Sequence, residues 1–158
     1  MRAEIEAYGA LKHKNIGRMR GIYQSPERFY LVQEFFGSSG TLFDYFIENG
    51  VKSEFETRAL IQQVLEVVQY CHSQGFILRN LSPSSIMFEK TRDQKGQEHI
   101  EIKLSDFGKS VMKNKKTHAK ETPVASFSVY SAPDSFGNDS PKCDIWSIGV
   151  ISYQLMCG

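Results

Sequence analysis

The chain has 158 residues, 41% of them hydrophobic and 23% charged, with a formal net charge of +1. That is one domain's worth of ordinary globular chain, and so balanced a charge gives neither nucleic acid nor a membrane surface a reason to bind. No apolar run approaches the roughly 20 residues of a membrane span, and Met1-Arg2-Ala3-Glu4-Ile5 lacks the apolar segment of a signal peptide. The three scattered cysteines, Cys71, Cys143 and Cys157, favour reduced thiols in the cytoplasm over a disulfide frame. Four dispersed histidines offer no metal-ligand spacing, and His72 reads as a helix-end residue.

Taken in order, residues 2–12 predict a helix, with Ile5, Tyr8 and Leu11 at helical spacing. Glu4 reads as a solvated residue of its first turn, favoured by the helix dipole. Two strands follow, over 18–23 and 29–35, joined by a turn marked by Ser25-Pro26. Thr41–Asn49 predicts a short helix ended by Gly50. Ser53-Glu54-Phe55-Glu56 is a capping box opening a long helix. Its expected apolar stripe is Leu60, Ile61, Val64, Leu65, Val68 and Cys71, and Gly75 ends it.

Next, the apolar runs Phe76-Ile77-Leu78 and Ile86-Met87-Phe88 flank a polar loop, Arg79-Asn80-Leu81-Ser82-Pro83-Ser84-Ser85. Residues 89–99 are polar and predict an exposed hairpin. Ile100, Ile102 and Leu104 alternate with Glu101 and Lys103, the pattern of a half-buried strand. That strand leads into Asp106-Phe107-Gly108. Residues 109–131 carry Lys113, Lys115, Lys116 and Lys120, and read first as a solvated, charged loop.

The ordered series His13-Lys14-Asn15-Ile16, Leu78-Arg79-Asn80, Asp106-Phe107-Gly108, Ala132-Pro133-Asp134 and Asp144-Ile145-Trp146-Ser147 resembles a Ser/Thr protein kinase domain. The stretch Lys142-Cys143-Asp144-Ile145-Trp146-Ser147 with Leu155-Met156-Cys157-Gly158 looks most like the calcium-dependent, calmodulin-like-domain kinases. The resemblance implies an α+β, protein-kinase-like fold, present in part. Residues 1–36 would be a partial N-lobe with helix C, strands 4 and 5 and the hinge. Residues 37–158 would be a partial C-lobe with helices D, E and F and the catalytic and activation loops. Glu4 then falls at the position that pairs with the Lys of V-A-I-K, but neither that Lys nor a Gly-rich loop occurs in the sequence.

The same resemblance assigns site residues. Glu34 C=O and Phe36 N–H of the hinge would face a nucleotide, beside Gln33 as gatekeeper. Met87 would lie under adenine, and Asp106 would hold magnesium. Phe107 and Gly108 complete the motif. Tyr8, Met19, Leu78 and Phe107 would form an internal apolar stack. The position corresponding to Asp144 receives backbone N–H groups from the catalytic loop. Arg79 could bind a phosphorylated Thr117 or Thr122.

Departures fall where the chemistry lies. The catalytic base position is Asn80, whose carboxamide cannot accept a proton at neutral pH. The Lys expected two residues later is Ser82, and the metal-binding Asn is Ser85. Phe127 stands where related kinases have a Thr that touches the catalytic Asp. The resemblance therefore implies a pseudokinase working as a scaffold or regulator with protein partners. Mg-ATP binding would be weak or absent, and no calcium loop is present. Two alternatives stay open: an active ATP-dependent Ser/Thr kinase, and a truncated, non-autonomous kinase fragment. The oligomeric state is open as well.

Overall fold

Helix α1, Arg2–Ala10, turns Ala7 and Tyr8 inward, and Leu11 follows them into the core. The helix stops short of residue 12 because the Lys12 amide donates to Tyr70 Oη at 2.9 Å instead of continuing the helical ladder. The structure, a computed structural model, describes residues 2–36, 39–92, 94, 96, 98–112, 128–135 and 140–158.

Strands β1, Met19–Gln24, and β2, Phe29–Gln33, form an antiparallel hairpin. Ser25 closes the turn, its Oγ accepting from Arg28 N at 3.0 Å. The pairing ends at Glu34 N, which donates to Arg18 O at 2.8 Å, so Phe35 lies outside the strand and is exposed. Helix α2, Leu42–Asn49, starts at Thr41, whose Oγ1 accepts from Asp44 N while Asp44 Oδ2 accepts from Thr41 N.

Helix α3, Glu54–Ser73, opens with the Ser53–Glu56 capping box that the sequence announces. Gly75, at φ +81°, turns the chain out of it, a conformation that costs glycine little. The buried stripe is Thr57, Leu60, Val64, Val67, Val68 and Cys71. Steps of three and four from Leu60 select Val67 rather than Leu65, which is partly exposed.

Four further strands frame the loop between residues 78 and 86. Strand β3, Phe76–Ile77, pairs antiparallel with β6, Val111–Met112. Strand β4, Ile86–Arg92, pairs antiparallel with β5, Glu98–Leu104, in a register running from Ile86↔Leu104 to Arg92↔Glu98. The β5 strand therefore starts two residues earlier than its alternation predicts. Helix α4, Lys142–Cys157, buries Cys143, Asp144, Ser147, Ile148, Ile151 and Leu155. Among the described residues the fold is mixed α+β, with four helices and three two-stranded antiparallel sheets.

One apolar cluster joins these elements. Tyr8, Leu60, Val64, Phe76, Ile86, Phe88, Ile102, Leu104, Phe107 and Ile151 all belong to it. Full burial of each such side chain contributes roughly 1.5–3 kcal/mol. The outer edge of β5 is closed by a side chain: Gln63 of α3 donates to Ile100 O at 2.7 Å and accepts from Ile102 N at 3.2 Å. Asn15 adds a bond to Ile102 O at 2.7 Å. An edge strand that would otherwise invite pairing is thereby fixed, and it delivers Asp106 to a defined place.

Candidate active site

The loop after β3 is hung from a single buried carboxylate. Asp144 of α4 is 0% exposed. Its Oδ2 accepts from Leu78 N at 2.9 Å and its Oδ1 from Arg79 N at 2.8 Å. Carboxylates only accept, so His72 Nε2, 2.7 Å from Oδ2, donates a third bond. The Cys71 thiol is pushed up to about 12, by burial first and then by the Asp144 carboxylate, which leaves it an unreactive core group. Arg79 sits at φ +64°. That left-handed conformation costs a non-glycine residue roughly 1–2 kcal/mol, and the Arg79 N–H bond to Asp144 holds it there.

Asn80 follows, half-buried. Its Nδ2 points to Asp106 Oδ2 at 3.4 Å, and its Oδ1 accepts from Lys109 Nζ at 3.0 Å. Beyond it the chain makes a one-turn 3₁₀ helix, Pro83–Ser85. Ser85 is buried in that turn. Its Oγ accepts from Ser82 N at 3.1 Å and donates to Ser82 O at 2.9 Å. Ser82 brings no charge to the cleft.

Asp106 is exposed and also sits at φ +64°. Gly108 N donates to its Oδ1 at 3.1 Å. Phe107 turns the other way, 2% exposed, with its ring edge-on to Tyr8 at 4.9 Å between centroids. Leu78 belongs to the same apolar cluster, and the partly buried Met19 packs against it. Between the loop and Asp106 lies a cavity of about 10 Å³, lined by Asn80, Ser85, Ser105 and Asp106 among others. It has room for one water molecule.

A second group of side chains gathers around the segment after β2. Glu34 pairs with Lys103 of β5, and Lys103 also lies over the Phe36 ring at 4.7 Å. Met87 of β4 is half-buried and bridges to Thr41. Burial pushes the Glu34 carboxyl up, but Lys103 and the Arg18 backbone pull it further down, so it lies below its ordinary 4.5. A depressed folded-state value stabilises the fold above pH 4.5, and that stability is lost as pH falls through the folded value. We expect the urea midpoint of the natural chain to fall more steeply below pH 4.5 than that of Lys103→Met. Parallel pH profiles would show the pair to be without weight.

The structure brings together Arg79, Asn80, Asp106, Phe107, Gly108 and Asp144, with Ser82 and Ser85 in the adjoining turn. Glu34, Phe36 and Met87 gather separately, around Lys103 of β5. Thr117, Thr122 and Phe127 lie outside the described residues, as do Lys113, Lys115, Lys116 and Lys120. The sequence reading missed two participants. Lys109 lies in a charged run, and its place directly after Asp106-Phe107-Gly108 is the signal that sets it apart. His72 lies at a helix end, as its position predicts, and its bond to Asp144 spans 72 residues.

Phosphoryl transfer in this cleft would need magnesium, and the exposed Asp106 carboxylate, whose Oδ1 accepts one bond from Gly108 N, is the donor that would hold it. Ser85 Oγ is engaged with Ser82 inside its own turn. Among the described residues there is no group of three or more His, Cys, Asp or Glu able to hold a metal ion.

The family model described as Protein kinase domain matches residues 1–158. This chain belongs to the protein kinase family. Among curated relatives, Serine/threonine-protein kinase 33 of Bos taurus is 32% identical over 158 residues, covering 98% of this chain and 32% of the relative. Calcium-dependent protein kinase 5 of Plasmodium berghei (strain Anka) is 35% identical over 159 residues, covering 100% of this chain and 27% of the relative. The kinase-family chain thus spans about a third or less of the length of these relatives. Its likeness to both a Ser/Thr kinase and a calcium-dependent kinase agrees with the resemblance read from its motifs. None of its described helices is long and apolar enough to cross a membrane.

Proposed function

We propose that this protein kinase domain is catalytically impaired, a pseudokinase that acts as a scaffold or regulator in phosphorylation signalling. The observation that carries the reading is Asn80. A neutral carboxamide stands at the base position, and its only acceptor atom, Oδ1, already takes a bond from an ammonium. A positioned general base is worth about 100- to 10,000-fold in rate. The neighbouring losses act on the same step and do not add independently. Meanwhile the apolar column through Tyr8, Leu78 and Phe107 is intact, so the chain keeps its shape while lacking its acid–base group.

On this reading Mg-ATP is held weakly, by Glu34 and Phe36 backbone groups, Met87 and Asp106. The partners are proteins, met in the reducing cytoplasm where Cys71 and Cys143 stay as free thiols. The retained, exposed Asp106 and the names of the relatives favour a second reading, an active Ser/Thr kinase. Radiolabelled ATP with magnesium and a generic basic peptide separates the two. We expect no transfer by the purified chain above a no-enzyme control. Turnover that disappears in Asp106→Ala would sink the first reading.

A further inference from the structure

A second cavity, of about 490 Å³, opens where the chain passes from α1 to β1. That volume falls within the range of ordinary binding pockets, roughly 300–1,000 Å³. The buried Tyr8, Leu11 and Ile16 line its inner side, and the exposed Lys12, Lys14 and Arg18 line it toward solvent. It therefore suits a group that is apolar at its centre and anionic at its flanks. We propose that the occupant is Phe55 of a second copy of this chain, entering between Glu54 and Glu56, and that the protein self-associates through this contact.

A lone exposed apolar side chain is ordinary on a protein surface. What sets Phe55 apart is its surroundings. It is 83% exposed, and among the exposed aromatic residues described it alone has a carboxylate on each side. All three residues occupy the first turn of α3, which the Ser53–Glu56 capping box fixes, so the group is presented already ordered. Bonds from Ser53 hold the Glu56 carboxyl below its ordinary 4.5, and it stays ionised at neutral pH. On the cavity side, the Lys12 amide is bonded to Tyr70 Oη, but its ammonium carries no ion pair among the described residues, and neither does Glu54. Lys14 reaches Glu66 only at 3.8 Å, on side chains 73% and 43% exposed, a pairing of little strength. Arg18 contributes less, because Glu34 lies in its field. A formal net charge of +1 leaves no strong repulsion between copies. Phe55 cannot fill the cavity of its own chain. Tyr70, which meets Lys12, lies 15 residues further along α3, or about 22 Å at 1.5 Å per residue.

The contact uses no residue of the Asn80 loop, so it goes beyond the pseudokinase reading and stands or falls without it. The experiment is sedimentation velocity of the purified chain over a concentration series. The proteins are the natural chain, Phe55→Ser, the double variant Lys12→Glu with Lys14→Glu, and Tyr153→Ser as a control on the exposed face of α4. All four substituted side chains are exposed, so the unfolding temperatures should match that of the natural chain.

We expect the natural chain to associate with a Kd on the order of 10 µM, the weak end for a small interface. Phe55→Ser and the double lysine variant should each weaken association roughly tenfold or more, as the loss of a central anchor does. Tyr153→Ser should associate like the natural chain. The two halves of the contact lie on different surfaces, so an equimolar mixture of Phe55→Ser with the double lysine variant should regain association. One chain then supplies the cavity and the other the phenylalanine. Association unchanged in Phe55→Ser, association lost in Tyr153→Ser, or a mixture that stays monomeric overturns the proposal. So does a natural chain that is monomeric throughout. If a fluorescent peptide of residues 51–60 still binds that monomer, the cavity takes such a segment from another protein instead.

Discussion

Asp144→Ala is expected to lower the stability of the fold by about 4 kcal/mol, as three donors lose one acceptor group. Native domains have only about 5–15 kcal/mol in hand, so this single change brings the chain near the edge of folding. The carboxylate is fully buried, and Leu78 N, Arg79 N and His72 Nε2 reach it from two different segments, with the Cys143 thiol as a weaker donor 3.7 Å from Oδ1. Alanine leaves those donors facing apolar surroundings, at about 1–3 kcal/mol for each that finds no new partner. Asp144→Asn is the sharper test because it keeps the shape. One oxygen survives as an acceptor, but the new NH₂ must face either the Arg79 N–H or the Leu78 N–H and His72 pair. It should lie between the natural protein and alanine in urea midpoint. Amide hydrogen exchange at Leu78 and Arg79 should accelerate in both variants. Midpoints within about 0.5 kcal/mol of the natural chain, the range of ordinary surface changes, would show that α4 does not hold the loop.

The residues that make this loop identifiable were visible in the sequence, and so was the long helix beneath it. Ser53 and Glu56 announce the start of α3, and Leu60, Val64, Val68 and Cys71 give its period. Such signals are local: a cap reads three residues ahead and a helical face repeats within four. Leu65 is exposed although it lies beside Val64, because the steps of three and four that run from Leu60 through Val64 reach Val67 and Val68 and pass it by. What the sequence hides is any pairing between distant segments. Glu34 meets Lys103 across 69 residues and Asn80 meets Lys109 across 29, with no period to betray either. Gln63 reads as a polar interruption of a helix, yet it serves as the neighbour that β5 lacks. The loop's departures from the kinase pattern were legible residue by residue. That a lysine had moved in beside Asn80 was not, because reach through space depends on the turn made at Asp106.

Phe107→Ala is expected to destabilise the chain by about 4 kcal/mol, within the range for emptying a buried aromatic site. The ring is 2% exposed and meets Tyr8 edge-on at 4.9 Å, so its loss opens a cavity between α1 and the turn after β5 that carries Asp106. Tyr8 is itself only 6% exposed, and burial raises its phenol above the ordinary 10. A phenol with that environment is not free to swing out and fill the space. Part of the loss should therefore be specific to the pair of rings. In a double-mutant cycle of Tyr8→Leu and Phe107→Leu, we expect a coupling of about 0.5–1.5 kcal/mol, read from urea midpoints. The functional consequence follows from the backbone. Asp106 at φ +64° is held between Ser105, which bonds Ser85 through backbone and side chain, and the buried Phe107. Releasing Phe107 frees that strained residue to relax, and the bond from Lys109 to Asn80 should loosen with it. Amide hydrogen exchange at Ser105 and Asp106 should therefore accelerate in Phe107→Leu by more than the fall in global stability explains. Exchange there that tracks global stability alone would separate the packing column from the cleft, and would mean that the site is held by Asp144 and the 3₁₀ turn.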